Sequence, residues 1–493
     1  MSLVMAWGRK NSAPYHEFQD RILEGRDLRN FGHQKKIQVS ASPEGNKPRY
    51  GASLFLKGWR ATGEKGCQMS YTAIIRSTVL LSLAAAAGLV PPPAFAGTEK
   101  VLYAFQGGTD GAQPWAVPTL GADGNLYGTT LVGGAGGVGT VYELVHTKNG
   151  WTEKVLYSFT GGSDGGWSYG GVVLDSKGNI YGGTRSGGSN NCGVVYELSP
   201  GKLGKWTEKV LYSFPGNQDC EGGPMGALTF DGNRNLYGTT VGDSPCGGYY
   251  YYGTVFELRR ATNGWKERDL HDFCGSDGDG PTYGQLVLDS VGNLYGTSGF
   301  GGSGGLGVVF ELSPAARHRW TFTTIHSFTD DEGGVADGGL MIDAGGNLYG
   351  AAVDGGGPDG YGSIYKFSPQ AGGAWSESTP YLLNGSPDGN GPFQNPVMDT
   401  KGNLFGTTYN GGDIADCWDA CGIIYELVPQ KNGTWSESVV YDFATLSSGA
   451  DGYAPVAGLI RDSKGNFYGT TTKGGAVSGL RPCDCGVVYE FTP

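Results

Sequence analysis

Gly124-Asn125-Leu126-Tyr127-Gly128-Thr129-Thr130 is the stretch that decides the fold. Its Asn recurs at Asn179, Asn235, Asn293, Asn347, Asn403 and Asn466, at separations of 54, 56, 58, 54, 56 and 63 residues. A Gly-Asn pair between an apolar run and an alternating aromatic/Thr run is a hairpin turn feeding a strand. Seven copies at a near-constant period mean a repeat architecture.

One repeat reads clearly from the second copy. An apolar strand at 172–175 turns through Ser176-Lys177-Gly178 into a return strand at 179–182. A Gly-rich loop, 186–191, leads to a third strand at 194–198, and Ser199-Pro200-Gly201 turns the chain into a fourth at 206–214. Four short antiparallel strands per repeat are the pattern of a propeller blade, and no helical periodicity competes with it. The fourth-strand pattern also occurs seven times, but its first copy, 98–105, precedes the first hairpin, and the chain stops after a third strand, 487–491. The sequence therefore predicts an all-β, seven-bladed β-propeller of four-stranded blades over 97–493. Residues 98–105 complete the last blade, which removes an exposed sheet edge.

Charge separates the chain into two parts. Residues 1–96 hold 13 Lys+Arg and 6 Asp+Glu, so of the 35 basic and 47 acidic residues in all, 22 and 41 remain for 97–493. An acidic body repels phosphate backbones and anionic lipid surfaces, so nucleic acid is excluded as a partner. The segment 69–96 reads as a secretory signal peptide. Arg76 precedes an apolar run at 77–90, Pro91-Pro92-Pro93 breaks it, and Ala94-Phe95-Ala96 gives the cleavage pattern. Residues 1–68, upstream of Met69, read as a mis-called or disordered extension. No other stretch is long and apolar enough to cross a bilayer, so no transmembrane segment is expected after cleavage. The mature protein is expected to be a monomer, secreted or at the cell surface.

The cysteines fit export. Cys67 lies before the signal, which leaves eight, an even number. Cys192 and Cys246 fall in second-to-third-strand loops, and Cys220 and Cys274 follow them by 28 residues in fourth-to-first-strand loops. In a propeller these loops share a face, which predicts the bridges Cys192–Cys220 and Cys246–Cys274. Cys417 and Cys421 are close enough for a local bridge. Cys483 and Cys485, two apart, would close a strained ring, and a partner in the Cys417/Cys421 loop stays open for them. Without paired CxxC motifs or accompanying His, no metal site is expected.

Candidate ligand-binding residues come from the loop after each fourth strand: Asp110, Asp164, Asp219, Asp279, Asp331, Asp388 and Asp451. Each stands 14 to 16 residues before the hairpin Asn, in a loop that leads to the innermost strand, so a ring of carboxylates at the channel mouth is expected. Such a ring suits a cation or sugar hydroxyls. Its presence in every blade favours a turn-building role, in which Asp accepts a backbone N–H. Tyr249-Tyr250-Tyr251-Tyr252 and Trp418 add aromatics on that face. Asp123, Asp175, Asp289, Asp343, Asp399 and Asp462 read as hairpin-turn chemistry, and the third-strand Glu143 and Glu197 as cross-strand partners of Lys154 and Lys209. His271 and His326 occupy the slot of Tyr157 and Tyr212 and read as packing variants. No catalytic motif stands out, no cofactor is expected, and calcium has no specific motif here.

The Asp-x-x-Gly-Asn-Leu-Tyr-Gly-Thr-Thr core, the Gly-Gly loop and the Gly-Thr-Val-Tyr-Glu-Leu strand closely resemble the GloVer tandem repeat of choice-of-anchor repeat proteins. The resemblance covers 98–493. It implies a bacterial, exported, surface-associated or secreted repeat protein, and brings no established activity or catalytic residue with it. The leading functional expectation is an extracellular binding or interaction module for a glycan or a protein partner. The alternative is a secreted carbohydrate-active hydrolase or lyase with acids at the channel mouth, and the third is a structural surface protein.

Overall fold

The computed structural model describes residues 97–493 except 216–221, 243–245, 247–251, 282, 330–331, 357–359, 413–420, 444–448, 476–482 and 484. The extension and signal segments, 1–96, lie outside the described residues, as do Asp219, Asp331, Cys220, Cys417, Trp418 and Tyr249 to Tyr251. Seven four-stranded antiparallel sheets follow one another as the blades of a propeller. In blade one the strands run from the innermost outward as Thr119–Leu120, Leu126–Thr130, Thr140–Thr147 and Gly150–Ser158. Blade seven is made from both ends of this region. Thr98–Ala104 pairs with Val487–Thr492, with Thr98 opposite Thr492 and Ala104 opposite Val487.

The last five residues of the repeated heptapeptide are the buried heart of each blade. All five residues of Leu126–Thr130, and of its six counterparts, are buried, because this strand is sandwiched between neighbouring blades on both faces. Its Gly is required by a close approach: a Cβ on Gly128 would collide with the Tyr142 hydroxyl. The two Thr residues divide their work. The Thr129 hydroxyl donates to Gly170 O of blade two at 3.0 Å, and Thr470 of blade seven donates to Ala116 O of blade one at 3.2 Å, which ties the ring shut. Thr130 Oγ1 lies 2.9 Å from Thr140 Oγ1 within its own blade.

The hairpin Asp residues are turn chemistry. Asp175 Oδ1 accepts the amides of Lys177 and Asn179 at 2.8 and 3.0 Å, and Oδ2 accepts Asn179 Nδ2 at 3.0 Å. Burial pulls its pKa upward, but these hydrogen bonds outweigh burial and hold Asp175 below the usual carboxylate value. Asp231 does the same in blade three, which the sequence reading passed over. The third-strand Glu143 meets Lys154 Nζ at 3.3 Å, and Glu257 meets Arg268 at 2.6 Å.

Each fourth strand carries a one-residue register shift, as between Val141 and Tyr142 of its partner in blade one. Such bulges bend a strand and raise its twist. In blade five the bulge holds Pro380, a residue that edge strands and bulges tolerate.

Cys246 and Cys274 form a disulfide. Cys192 and Cys421 are also disulfide-bonded, with partners outside the described residues. Cys483 pairs with Cys485, so the open choice of a partner in the Cys417/Cys421 loop is resolved locally: the two Cα atoms stand 5.1 Å apart, within disulfide reach. Because Cys246–Cys274 closes a loop across 28 residues, replacing Cys274 by Ser is expected to lower stability by about 3 kcal/mol. Chemical denaturation of the variant against the parent, both oxidised, checks this; equal midpoints and slopes would contradict it.

Candidate functional site

Two places collect side chains with chemistry: the junctions between outer strands of adjacent blades, and the cavity on the propeller axis. Of the seven Asp residues singled out from sequence, Asp110, Asp164, Asp388 and Asp451 belong to the first, while Asp219 and Asp331 lie outside the described residues. The Asp110 carboxylate accepts the Tyr103 hydroxyl at 3.0 Å and the Gln106 amide at 2.8 Å. Asp164 accepts Tyr157 and the Thr160 amide at 3.0 and 2.9 Å, and Asp388 accepts Tyr381 at 2.8 Å. Tyr441 donates to Asp451 at 2.9 Å. These tyrosines stand on outermost strands, so the carboxylates sit at the outer end of their loops. None of them lines the axial cavity. The loop does run on to the innermost strand, but it binds its Asp to the strand it has just left.

In two blades a different carboxylate meets the outer-strand aromatic. In blade three the carboxylate in this role is Asp277, which meets His271 Nε2 at 2.9 Å and accepts the Cys274 amide at 2.9 Å. Asp279 instead lies further along the loop, where its amide donates to Phe300 O and burial raises its carboxyl to about 6. In blade four the role belongs to Glu332, which meets His326 Nε2 at 3.1 Å. Distance from the hairpin Asn was the wrong ruler; distance from the outer-strand aromatic, six or seven residues, finds most of them.

Across most junctions a Glu from the next outer strand faces this carboxylate. Burial first, and the Asp110 charge second, raise Glu153 to about 7. Glu208 is raised to about 7 by burial and Asp164, and Glu437 to about 7 by burial and Asp388. Glu99, which closes the ring against blade six, reaches about 8 through burial and Asp451, with the Tyr441 hydrogen bond opposing. Asp164 stays low: burial is outweighed by hydrogen bonds from Thr160 and Tyr157. A carboxyl pair with divided pKa values is also the signature of general acid/base catalysis. Here the pair recurs around the ring, with each Asp hydrogen-bonded to the Tyr of the outer strand it follows. The blade-three junction departs from the pattern, with Phe322 in the Glu position and stacked on His271 at 3.8 Å.

The axial cavity is where the repeats disagree. Four residues before the innermost strands stand Trp115, Tyr169, Met225, Tyr283, Asp337, Phe393 and Val456. A cavity of about 390 Å³ lies along the axis, lined among others by Trp115, Tyr169, Tyr283, Gln285, Gln394 and Asn395. The aromatic three touch one another: Trp115–Tyr169 centroids are 5.7 Å apart, and Tyr283 is 6.1 Å from each. Trp115 Nε1 is buried without a hydrogen-bond partner among the described residues. Gln285 is committed, donating to Leu228 O at 2.8 Å, whereas the Gln394 side chain makes no hydrogen bond among the described residues. No Asp, Glu, His or Lys is among the residues lining the cavity. The sequence reading missed this site because it followed residues that repeat. Its signal is the opposite one, a position at which almost every blade differs. Tyr252, the described member of the Tyr249–Tyr252 run, packs against the cluster that holds Phe273.

The Gloeobacter/Verrucomicrobia repeat matches residues 91–245 and 202–418. The chain belongs to this repeat family. No curated protein matches the chain. Among solved structures, the repeat protein resembles a putative oxidoreductase (glucose dehydrogenase) of Thermus thermophilus at 12% identity and TM-score 0.39, over 80% of this chain and all of that one. A surface component of the type-IX secretion system of Porphyromonas gingivalis matches at 13% and 0.36, over 70% and 43% of the two chains. A Trypanosoma rangeli sialidase matches at 12% and 0.35, over 71% and 56%. Likeness at this level says nothing about what this chain binds or does. Among the described residues no helix is long and apolar enough to cross a membrane.

Proposed function

We propose that this member of the repeat family is an exported binding module that takes a glycan, or a ring-bearing group of a protein partner, in its axial cavity. The observation that carries the reading is the loss of repeat symmetry at one position only partway along each blade, where Trp115, Tyr169 and Tyr283 meet. Blade-building residues repeat; residues chosen for a ligand need not. Aromatic faces beside amide groups suit a sugar ring, whose C–H face stacks while its hydroxyls hydrogen-bond. The volume falls within the range of small-molecule sites.

The hydrolase alternative needs two carboxyl groups flanking a glycosidic bond, and the described cavity lining supplies none. Export and cleavage at 69–96 belong to the same proposal; the disulfides support an oxidising compartment. A glycan array probed with the full chain, with calcium and with chelator, tests the reading. Tyr283→Ala and Gln394→Ala are expected to weaken any ligand found by roughly 10-fold each while leaving the circular-dichroism spectrum unchanged. A ligand that both variants bind as the parent does would place the site elsewhere. No ligand in either arm would leave the structural reading.

A further inference from the structure

We propose that the junction between blades four and five is a divalent transition-metal site, with zinc the fitting ion, held by His326, Glu332 and Glu377. This goes beyond the cavity and does not depend on it. His326 stands on the outer strand of blade four, Arg319–Ser327, and Glu332 follows in the loop. Glu377 comes across from the outer strand of blade five, Trp375–Leu382. His326 Nε2 is 3.1 Å from Glu332 Oε2, and Nδ1 is 3.3 Å from Glu377 Oε2. One ligand atom from each of the three lies within 4.8 Å of the others. Zinc bonds one imidazole nitrogen at about 2 Å, so the carboxylate that faces the other nitrogen must turn about its side-chain bonds to reach the ion, and three protein ligands then leave a position for water.

The other junctions provide the contrast. Five carry Tyr where His326 stands: Tyr103, Tyr157, Tyr212, Tyr381 and Tyr441. Burial keeps the hydroxyls of Tyr103, Tyr157 and Tyr381 protonated well above their ordinary value, so they donate to the carboxylates instead of ligating. The sixth has His271 and Asp277, but Phe322 replaces the second carboxylate. Among the described residues, only the junction of blades four and five combines an imidazole with two carboxyl groups. Neither Glu332 nor Glu377 has a Lys or Arg partner among the described residues. Two acids against one imidazole leave negative charge in a partly enclosed place, which a divalent cation offsets.

The test uses the full chain, stripped with chelator and titrated with zinc chloride against a chromophoric competitor. The parent is expected to bind one more zinc than His326→Tyr, a substitution that installs the residue of five other junctions. Zinc is expected to raise the parent's melting temperature and not that of the variant. Glu332→Gln and Glu377→Gln are expected to weaken the site at least about 10-fold, while His271→Tyr leaves the stoichiometry unchanged. Equal zinc stoichiometry and affinity in parent and His326→Tyr overturns the site, as does loss of the same zinc in His271→Tyr. Should His326→Tyr fail to fold, Glu377→Gln decides in its place by the same criterion.

Discussion

A chain lacking residues 97–105 is expected to lose its cooperative melting transition, or to melt more than about 10 °C below the parent, and to run as oligomers in size-exclusion chromatography. The strand Thr98–Ala104 is the outermost strand of blade seven, and its removal bares the edge of Val487–Thr492. Unpaired edges recruit other strands. Leu102 and Phe105, 8% and 0% exposed, leave a cluster with Leu126, Tyr142, Leu144 and Val488, so the loss reaches blade one as well. Each buried apolar side chain of this size contributes roughly 1.5–3 kcal/mol, and the strand's ladder adds to them. Because Glu99 and Tyr441 meet at 3.4 Å, the junction with blade six goes too. A synthetic peptide of residues 97–105 added during refolding is expected to restore the monomer in part. A truncated chain that is monomeric and melts with the parent would show that blade seven does not need the strand.

Stability is expected to fall as pH rises from about 4.5 to about 8. Glu99, Glu153, Glu208 and Glu437 have folded pKa values of about 8, 7, 7 and 7, all above the unfolded carboxyl value of 4.5. The folded state therefore binds more protons between these limits, and its advantage is complete below pH 4.5 and lost as pH passes 7 to 8. Glu377 is raised as well, by burial and Glu332 against the opposing His326. After discount for solvent screening each junction contributes about 1 kcal/mol. For four junctions in a chain of this length this is a decline of roughly 5 °C in melting temperature.

Opposing groups set the acid limit. Asp164, Asp175, Asp343 and Asp462 are held below 3.8, so their contribution is present above that value and lost on further acidification. His271, lowered from 6.5 by burial against Asp277, binds fewer protons when folded and works against stability below its unfolded value. Four Glu outweigh the one His, so the maximum is expected between about pH 4 and 5. Replacing the four Glu residues together by Gln should flatten the alkaline decline and raise the melting temperature at pH 8.5, with little change at pH 5. Calorimetry over this range decides it; a decline that persists unchanged in the fourfold variant would remove the junction carboxyls as its cause.

The fold was legible because each level of the sequence repeats the same instruction. Asn179, Gly182 and the Thr pair say hairpin, close approach and blade-to-blade tie, and they say it seven times. The displaced outer strand at 98–105 revealed the closure. The candidate site was far less legible. Repetition drew attention to Asp110 and its counterparts, whose hydrogen bonds to outer-strand tyrosines depend on loop geometry that spacing alone does not give. His is shorter than Tyr, so in blades three and four the partner carboxylate moved to Asp277 and Glu332. The cavity residues Trp115, Tyr169 and Tyr283 come together only once the ring has closed, from positions up to 168 residues apart.

The two-ended blade also imposes an order in time. Thr98–Ala104 is the first of the described strands to be made, and its partner Val487–Thr492 is the last of them. At about 5–20 residues per second, roughly 20–80 s separate them. Throughout that interval Leu102 and Phe105 have no native partner in Val488. Synthesis, and not loop-closure entropy, sets this delay, since closure cost grows only with the logarithm of length. The first strand of the propeller can pack on blade one early, yet it waits longest of all for its sheet partner.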